Sequence, residues 1–114
     1  MAPPSLSTHV LDMRLGRPAA DLGVSLYRID GDDAVLQAEG RTDAEGRIRD
    51  LTGGPLRPGV YRLAFDVGAY FRAQGESTAL FTRIFLDIEV REEGRNYHLP
   101  LLVSPHACVS YRGS

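Results

Sequence analysis

The sequence predicts an all-β protein, a sandwich of eight short strands in two sheets with one short helix. Apolar and polar residues alternate with period two through most of the chain, which is the pattern of strands with one buried face. Clusters of Gly, Pro and Asp interrupt that alternation roughly every eight to twelve residues, the punctuation of a sandwich. One stretch breaks the pattern: between Gly68 and Gly75, the residues Ala69, Tyr70, Phe71, Arg72, Ala73 and Gln74 suit a short helix bracketed by glycines.

In chain order the strands are expected at 6–13, 24–29, 34–42, 47–50, 60–67, 83–90, 97–104 and 108–112. The first puts Ser7, His9 and Leu11 on one face and Leu6, Thr8 and Val10 on the other, so neither face is wholly apolar. The second and third are joined by the hairpin turn Ile29-Asp30-Gly31-Asp32-Asp33, and Asp43-Ala44-Glu45-Gly46 turns the chain into the fourth. The sixth sets Ile84, Leu86, Ile88 and Val90 toward the core. Its other face, with Arg83, Phe85, Asp87 and Glu89, suits a sheet edge open to a second subunit. The seventh, Tyr97-His98-Leu99-Pro100-Leu101-Leu102-Val103-Ser104, reads as buried, although Pro100 demands an edge or an irregularity at that point.

The 114 residues predict a single domain spanning 1–114. Folding at that size removes roughly 65% of the extended chain's surface from water, enough for a core without staples. Apolar residues at 43% and charged residues at 25% are ordinary globular usage. Cys108 stands alone, which excludes a disulfide within the chain and suits a reducing, cytoplasmic setting. A formal net charge of -2, with thirteen scattered arginines and no lysine, gives no basic patch for nucleic acid. Met1-Ala2-Pro3-Pro4-Ser5 has neither the basic start nor the apolar stretch of a leader, and no apolar run approaches the ~18 residues of a membrane helix.

Three separated groups of residues carry possible chemistry. His9 lies inside a strand, Arg47 follows Gly46 where a tight turn becomes a strand, and His98 opens the strand leading to the tail Tyr111-Arg112-Gly113-Ser114. Strand pattern alone gives the histidines a structural, hydrogen-bonded reading and Arg47 that of a solvated surface cation, which is also the reading of Arg49. The tail is unusual, since it gathers a phenol, a guanidinium, a flexible glycine and a hydroxyl directly after a strand able to hold it against the fold.

The run YHLPLLVSP followed by YRGS resembles the C-terminal signature of the 5-hydroxyisourate hydrolases, the transthyretin-related enzymes of urate breakdown. Leu6-Ser7-Thr8-His9-Val10-Leu11-Asp12 with Gly16-Arg17-Pro18 is similar to that family's first strand and loop, and Thr42-Asp43-Ala44-Glu45-Gly46-Arg47 to its central turn. The resemblance implies a transthyretin-like (prealbumin-like) sandwich assembled as a homotetramer, with sites at a subunit interface. It further implies hydrolytic opening of 5-hydroxyisourate to 2-oxo-4-hydroxy-4-carboxy-5-ureidoimidazoline, without metal or organic cofactor. On this basis His9, Arg47, His98 and Ser114 are expected in catalysis, and His9, Arg47 and Tyr111 in substrate binding. His9 is assigned as general base with His98 as its partner in proton traffic or orientation, an order that the residues leave reversible. The planar fork of Arg47 suits the carbonyl and ring nitrogens of a purine-like anion better than a lysine would.

Other readings stay open beside it. A non-catalytic transthyretin-type carrier would share the fold, but the resemblance assigns the YRGS ending to the hydrolases and not to transthyretins. A β-sandwich accessory module would explain the strands and not the tail. The loop His106-Ala107-Cys108-Val109-Ser110 departs from the family's usual tyrosine and glycine, and it brings a histidine and a cysteine two residues apart, the beginnings of a nucleophilic pair. Three histidines without a compact spacing make no recognisable metal-ligand set.

Overall fold

The structure, a computed structural model, describes residues 5–53, 55–93 and 95–114. Its elements are β1 (Leu6–Asp12), β2 (Arg17–Pro18), β3 (Gly23–Asp30), β4 (Asp33–Arg41), β5 (Arg47–Ile48), β6 (Gly59–Phe65), the helix α1 (Val67–Ala73), β7 (Ile84–Val90), β8 (Tyr97–Ser104) and β9 (Ala107–Ser110). All eight expected strands are present, and the short β2 joins them. Two residues containing a proline give too little alternation to read from sequence, and β2 exists only because Leu11 and Asp12 of β1 pair with it.

One sheet runs β2-β1-β8-β9, with β5 also paired to β1; the other runs β4-β3-β6-β7. The β1 and β8 strands are parallel neighbours, so Ser7 stands opposite His98 and His9 opposite Pro100. Alternation decides which side chains go inward. Leu6, Val10, Leu99, Leu101 and Val103 of the first sheet meet Leu26, Leu63 and Phe65 of the second, all buried. At about 25 cal/mol per Å² of apolar surface removed from water, these contacts are the main favourable term in the fold. β7 is an edge strand, as the face bearing Phe85, Asp87 and Glu89 suggested, and Arg62 beside it chelates Asp87 at 2.7 and 2.9 Å while lying over the Phe85 ring.

The helix begins one residue earlier than its glycines suggested. Asp66 caps it by accepting from the Ala69 N–H, so Val67 is drawn out of β6 and into the first turn. Gly68 therefore lies inside the helix. Its reason is close packing, since a Cβ there would meet the Thr82 backbone at 3.0 Å. Tyr70 ties the helix to β1 by donating to Asp12 Oδ2 at 2.8 Å, and burial, followed by the Asp12 carboxylate, pushes its phenol up to about 12. No helix among the described residues is long and apolar enough to cross a membrane.

The tail departs from its expected form. The span expected to be a strand at 108–112 is instead β9, Ala107–Ser110, whose ladder on β8 ends at the Leu101–Ser110 pair. The chain then bows away and rejoins β8 at an isolated bridge between His98 and Gly113, with the Gly113 N–H donating to the His98 carbonyl at 2.8 Å. Pro100 sits in the gap between those pairings, where a residue without an N–H does least damage to a ladder. The Ser110 hydroxyl caps the Pro100 carbonyl at 2.8 Å.

Candidate active site

The turn after β4 delivers Arg47. Asp43 organises it: its carboxylate accepts from the Glu45 and Arg47 N–H groups at 2.8 and 2.9 Å, and its carbonyl from Gly46 at 2.9 Å. Those backbone donors, Arg47 foremost, hold the Asp43 carboxyl below its ordinary pKa. Gly46 has φ +77°, and a Cβ on it would lie 2.4 Å from the Val10 carbonyl oxygen, so no other residue fits. The Gly46 carbonyl in turn accepts from Val10 at 2.7 Å. Arg47 thus leaves a fixed backbone directly opposite His9, with which it pairs across β1 and β5.

The same turn orients His9. Its Nε2 lies 2.9 Å from the Glu45 carbonyl oxygen. A carbonyl can only accept, so Nε2 carries the proton, and Nδ1 is the one ring atom of neutral His9 able to take another. His98 is held from two sides. Its Nδ1 is 2.8 Å from the Ser7 hydroxyl oxygen, and its Cδ2 edge is backed by Gly113 so closely that a Cβ there would lie 2.5 Å from it. Burial lowers the pKa of His98 below its ordinary value, and the charges of Arg47 and His9 push the same way. These effects favour the neutral ring over the imidazolium.

A hollow of about 310 Å³ on the outer face of the first sheet is lined by Ser7, Arg47, Arg49, Asn96, His98 and Ser114, among others. It gathers Arg47, His98 and Ser114 from parts of the chain up to 67 residues apart. His9 stands at its margin, beside Arg47 in register, and does not line it. Tyr111 lies outside it, 57% exposed on the bowed segment. Arg112 points away from the hollow and anchors the tail, pairing with Glu93 at 2.6 Å and lying 4.4 Å over the Tyr97 ring. That contact draws the Glu93 carboxyl below its ordinary pKa.

Five further residues line the hollow, Thr8 and Ile48 beside Ser7, Asn96 and Arg49. Ser7 shared a face with His9 in the period-two pattern, but its meeting with His98 depends on the parallel β1–β8 register, which no local pattern reveals. Asn96 precedes β8, with its side-chain oxygen accepting from the Ser5 N–H at 3.2 Å. Arg49, read as a solvated surface residue, is indeed largely exposed, yet it also borders the hollow and lies 3.9 Å from Glu45.

His106 and Cys108 form no site together. His106 is in the β8–β9 turn and Cys108 is an exposed edge residue paired with Val103, five strand positions and so roughly 17 Å along β8 from His98. Among the described residues no group of three or more His, Cys, Asp or Glu could hold a metal. A larger concavity of about 580 Å³ lies on the outer face of the other sheet, around Tyr27, Arg41, Arg62 and Phe85. It contains no histidine, and its Arg41 and Arg62 are already paired with Asp21 and Asp87. Of the two, the smaller hollow is the one that holds an imidazole.

Residues 6–113 match the family described as HIUase/Transthyretin family. A 5-hydroxyisourate hydrolase of Caulobacter vibrioides is 42% identical over 112 residues, covering 96% of this chain and 97% of that protein. Among solved structures, the 5-hydroxyisourate hydrolase of Klebsiella pneumoniae superposes with a TM-score of 0.86 at 38% identity, covering 96% of this chain and 99% of that one. Sea bream transthyretin in complex with thyroxine superposes with a TM-score of 0.88 at 33% identity, covering 96% and 94%. Backbone likeness is thus nearly equal for a hydrolase and for a thyroxine-bound transthyretin, and side chains must separate them.

Proposed function

The chain belongs to the HIUase/Transthyretin family, and on that premise we propose that it is a 5-hydroxyisourate hydrolase whose chemistry takes place in the hollow bordered by Arg47, His98 and Ser114. The observation that carries the proposal is the convergence of a guanidinium, an imidazole and a hydroxyl on one hollow, with a second imidazole at its rim. A purely ligand-carrying channel has no use for two histidines held by hydrogen bonds in defined orientations.

Opening the ring of 5-hydroxyisourate requires water to add to an amide-like carbonyl, charge to be stabilised on the resulting oxyanion, and the ring nitrogen to leave with a proton. His9, protonated at Nε2 by its bond to Glu45, accepts the proton of the attacking water at Nδ1. Arg47 faces the carbonyl oxygen, where its charge gains most as the oxyanion forms. The carbon–nitrogen bond then breaks, and His98 supplies or relays the proton to the departing nitrogen. Ser114 orients the water or the substrate by its hydroxyl, and the exposed Tyr111 covers the heterocycle with its ring.

The expected homotetramer belongs to this proposal. Leu11, Leu102 and Val109 stand side by side across β1, β8 and β9 on the same outer face as the hollow, and Val109 is 53% exposed. Such a row favours cover by a second copy, which would also close the site around His9 and Tyr111. The exposed, unpaired Cys108 suits the cytoplasmic setting expected from the sequence.

The test is direct. 5-Hydroxyisourate generated in place from urate by urate oxidase decays with a characteristic ultraviolet change, and the wild-type chain should accelerate that decay. His9→Ala and Arg47→Ala should each lose most of the acceleration. The likeness to thyroxine-bound sea bream transthyretin favours a carrier as the second reading, and a carrier would leave the decay unchanged in every sample.

A further inference from the structure

We propose that Glu93 is a positioning residue for the site: its carboxylate grips Arg112 and so keeps Gly113 and Ser114 in place beside His98. The catalytic part of the inference rests on the hydrolase reading, whereas the docking of the tail stands on geometry alone. The β8–β9 ladder ends at Ser110, and Tyr111 beyond it is exposed. Gly113 makes one backbone hydrogen bond, from its N–H to the His98 carbonyl at 2.8 Å. Ser114 lines the hollow, yet no hydrogen bond or ion pair holds it among the described residues. Ordering the backbone of a single residue costs a factor of roughly five to thirty in population. One neutral hydrogen bond returns a factor of only about two to ten. The bridge to His98 therefore does not by itself keep residues 111–114 in place.

Arg112 supplies the missing hold. Its guanidinium pairs with Glu93 at 2.6 Å and lies 4.4 Å over the Tyr97 ring, two contacts that together fix where the side chain sits. Tyr97 is a firm support, since it is buried, its hydroxyl accepts from the Arg91 N–H at 2.8 Å, and its own N–H donates to the Ser5 carbonyl at 2.8 Å. The side chains of Arg112 and Glu93 are only 34% and 31% exposed, so water and salt screen the pair less than they screen an open surface pair. Two arginines act on Glu93, Arg112 and Arg95, and of these Arg112 is the one within ion-pair distance. The clamp stands one residue before Gly113, on which a Cβ would lie 2.5 Å from His98 Cδ2. Glu93 does not line the hollow, but through the tail it acts on two residues that do, His98 and Ser114.

Amide hydrogen exchange at Gly113 reads the docking of the tail without reference to activity. In Glu93→Ala and in Arg112→Ala, exchange at Gly113 should speed up about tenfold or more, while the Val10 and Leu101 amides keep their protection. Turnover of 5-hydroxyisourate, read as kcat, should fall about tenfold or more in both variants, because His98 loses its backing and Ser114 leaves the hollow. The two side chains form one clamp, so the double variant should match Arg112→Ala and not the product of the two single effects. Unchanged exchange at Gly113 in either variant overturns the inference, as do effects that multiply, or a loss of protection that spreads to Val10 and Leu101. A tail that undocks while kcat stays at the wild-type value overturns the positioning role. A wild-type protein that does not accelerate 5-hydroxyisourate decay overturns the hydrolase reading, and the exchange rates still decide whether Glu93 holds the tail.

Discussion

Replacing Gly113 by alanine should disable the site while leaving the fold standing. The added Cβ would lie 2.5 Å from His98 Cδ2, 3.3 Å from Cγ and 3.4 Å from the His98 carbonyl oxygen. Ordinary carbon–carbon contact begins near 3.5 Å, so either the imidazole or the tail must move by about 1 Å. If the ring moves, it leaves Ser7, and a displacement of that size at a reacting group lowers turnover by roughly 10²-fold. If the tail moves, the bond from Gly113 N–H to the His98 carbonyl is lost and Ser114 withdraws from the hollow. That bond lies at the end of the chain's last pairing, and its loss should destabilise the fold by only about 1 kcal/mol. The assay is initial-rate kinetics on 5-hydroxyisourate generated in place, alongside thermal unfolding. A Gly113→Ala variant with wild-type kcat would refute the claim that the tail and the His98 ring are packed as a unit.

Other perturbations separate the parts of the site. Arg47→Gln should reduce kcat/KM by about 10²- to 10³-fold, the usual consequence of removing an oxyanion donor, and should raise the NMR titration midpoint of His98, which lies below 6.5 in the wild type through burial, Arg47 and His9. Because that folded-state pKa is depressed, the unfolded chain binds the proton more readily. This group's contribution to stability is therefore held above pH 6.5 and lost as pH falls through the folded value, and urea denaturation between pH 7 and 5 should show a shallower decline in Arg47→Gln. Gly46→Ala combines a positive φ with a 2.4 Å clash on Val10, and should lower stability by roughly 2 to 4 kcal/mol in chemical denaturation. Cys108→Ser should leave turnover unchanged, since the thiol is exposed and far along β8 from His98; complete loss would revive a thiol nucleophile.

Most of the sandwich was legible because its strands alternate cleanly: β1, β3, β4, β6, β7 and β8 lie where period two put them, within a residue or two. What sequence could not supply was determined by long-range contacts. β2 exists only as a partner of β1, and β5 stops at Ile48 because only Arg47 and Ile48 find partners, His9 and Thr8. The tail was read as a continuous strand, whereas Pro100 opens a gap in β8's pairing and the chain bows out there, leaving Tyr111 exposed. Within the site, the turn that presents Arg47 could be read from Asp43 and Gly46, both local signals. The encounter of Ser7 with His98 could not, because it depends on two strands 91 residues apart lying parallel in one register.

The central claim is that substrate is held between Arg47 and His98 on the outer face of the first sheet. A crystal structure with a purine-like anion that cannot undergo ring opening tests it most directly. The account expects the ligand in the hollow, within hydrogen-bonding distance of the Arg47 guanidinium and His98 Nε2, with Ser114 beside it. A ligand seated instead in the concavity of the second sheet, against Arg41, Arg62 and Phe85, would contradict it.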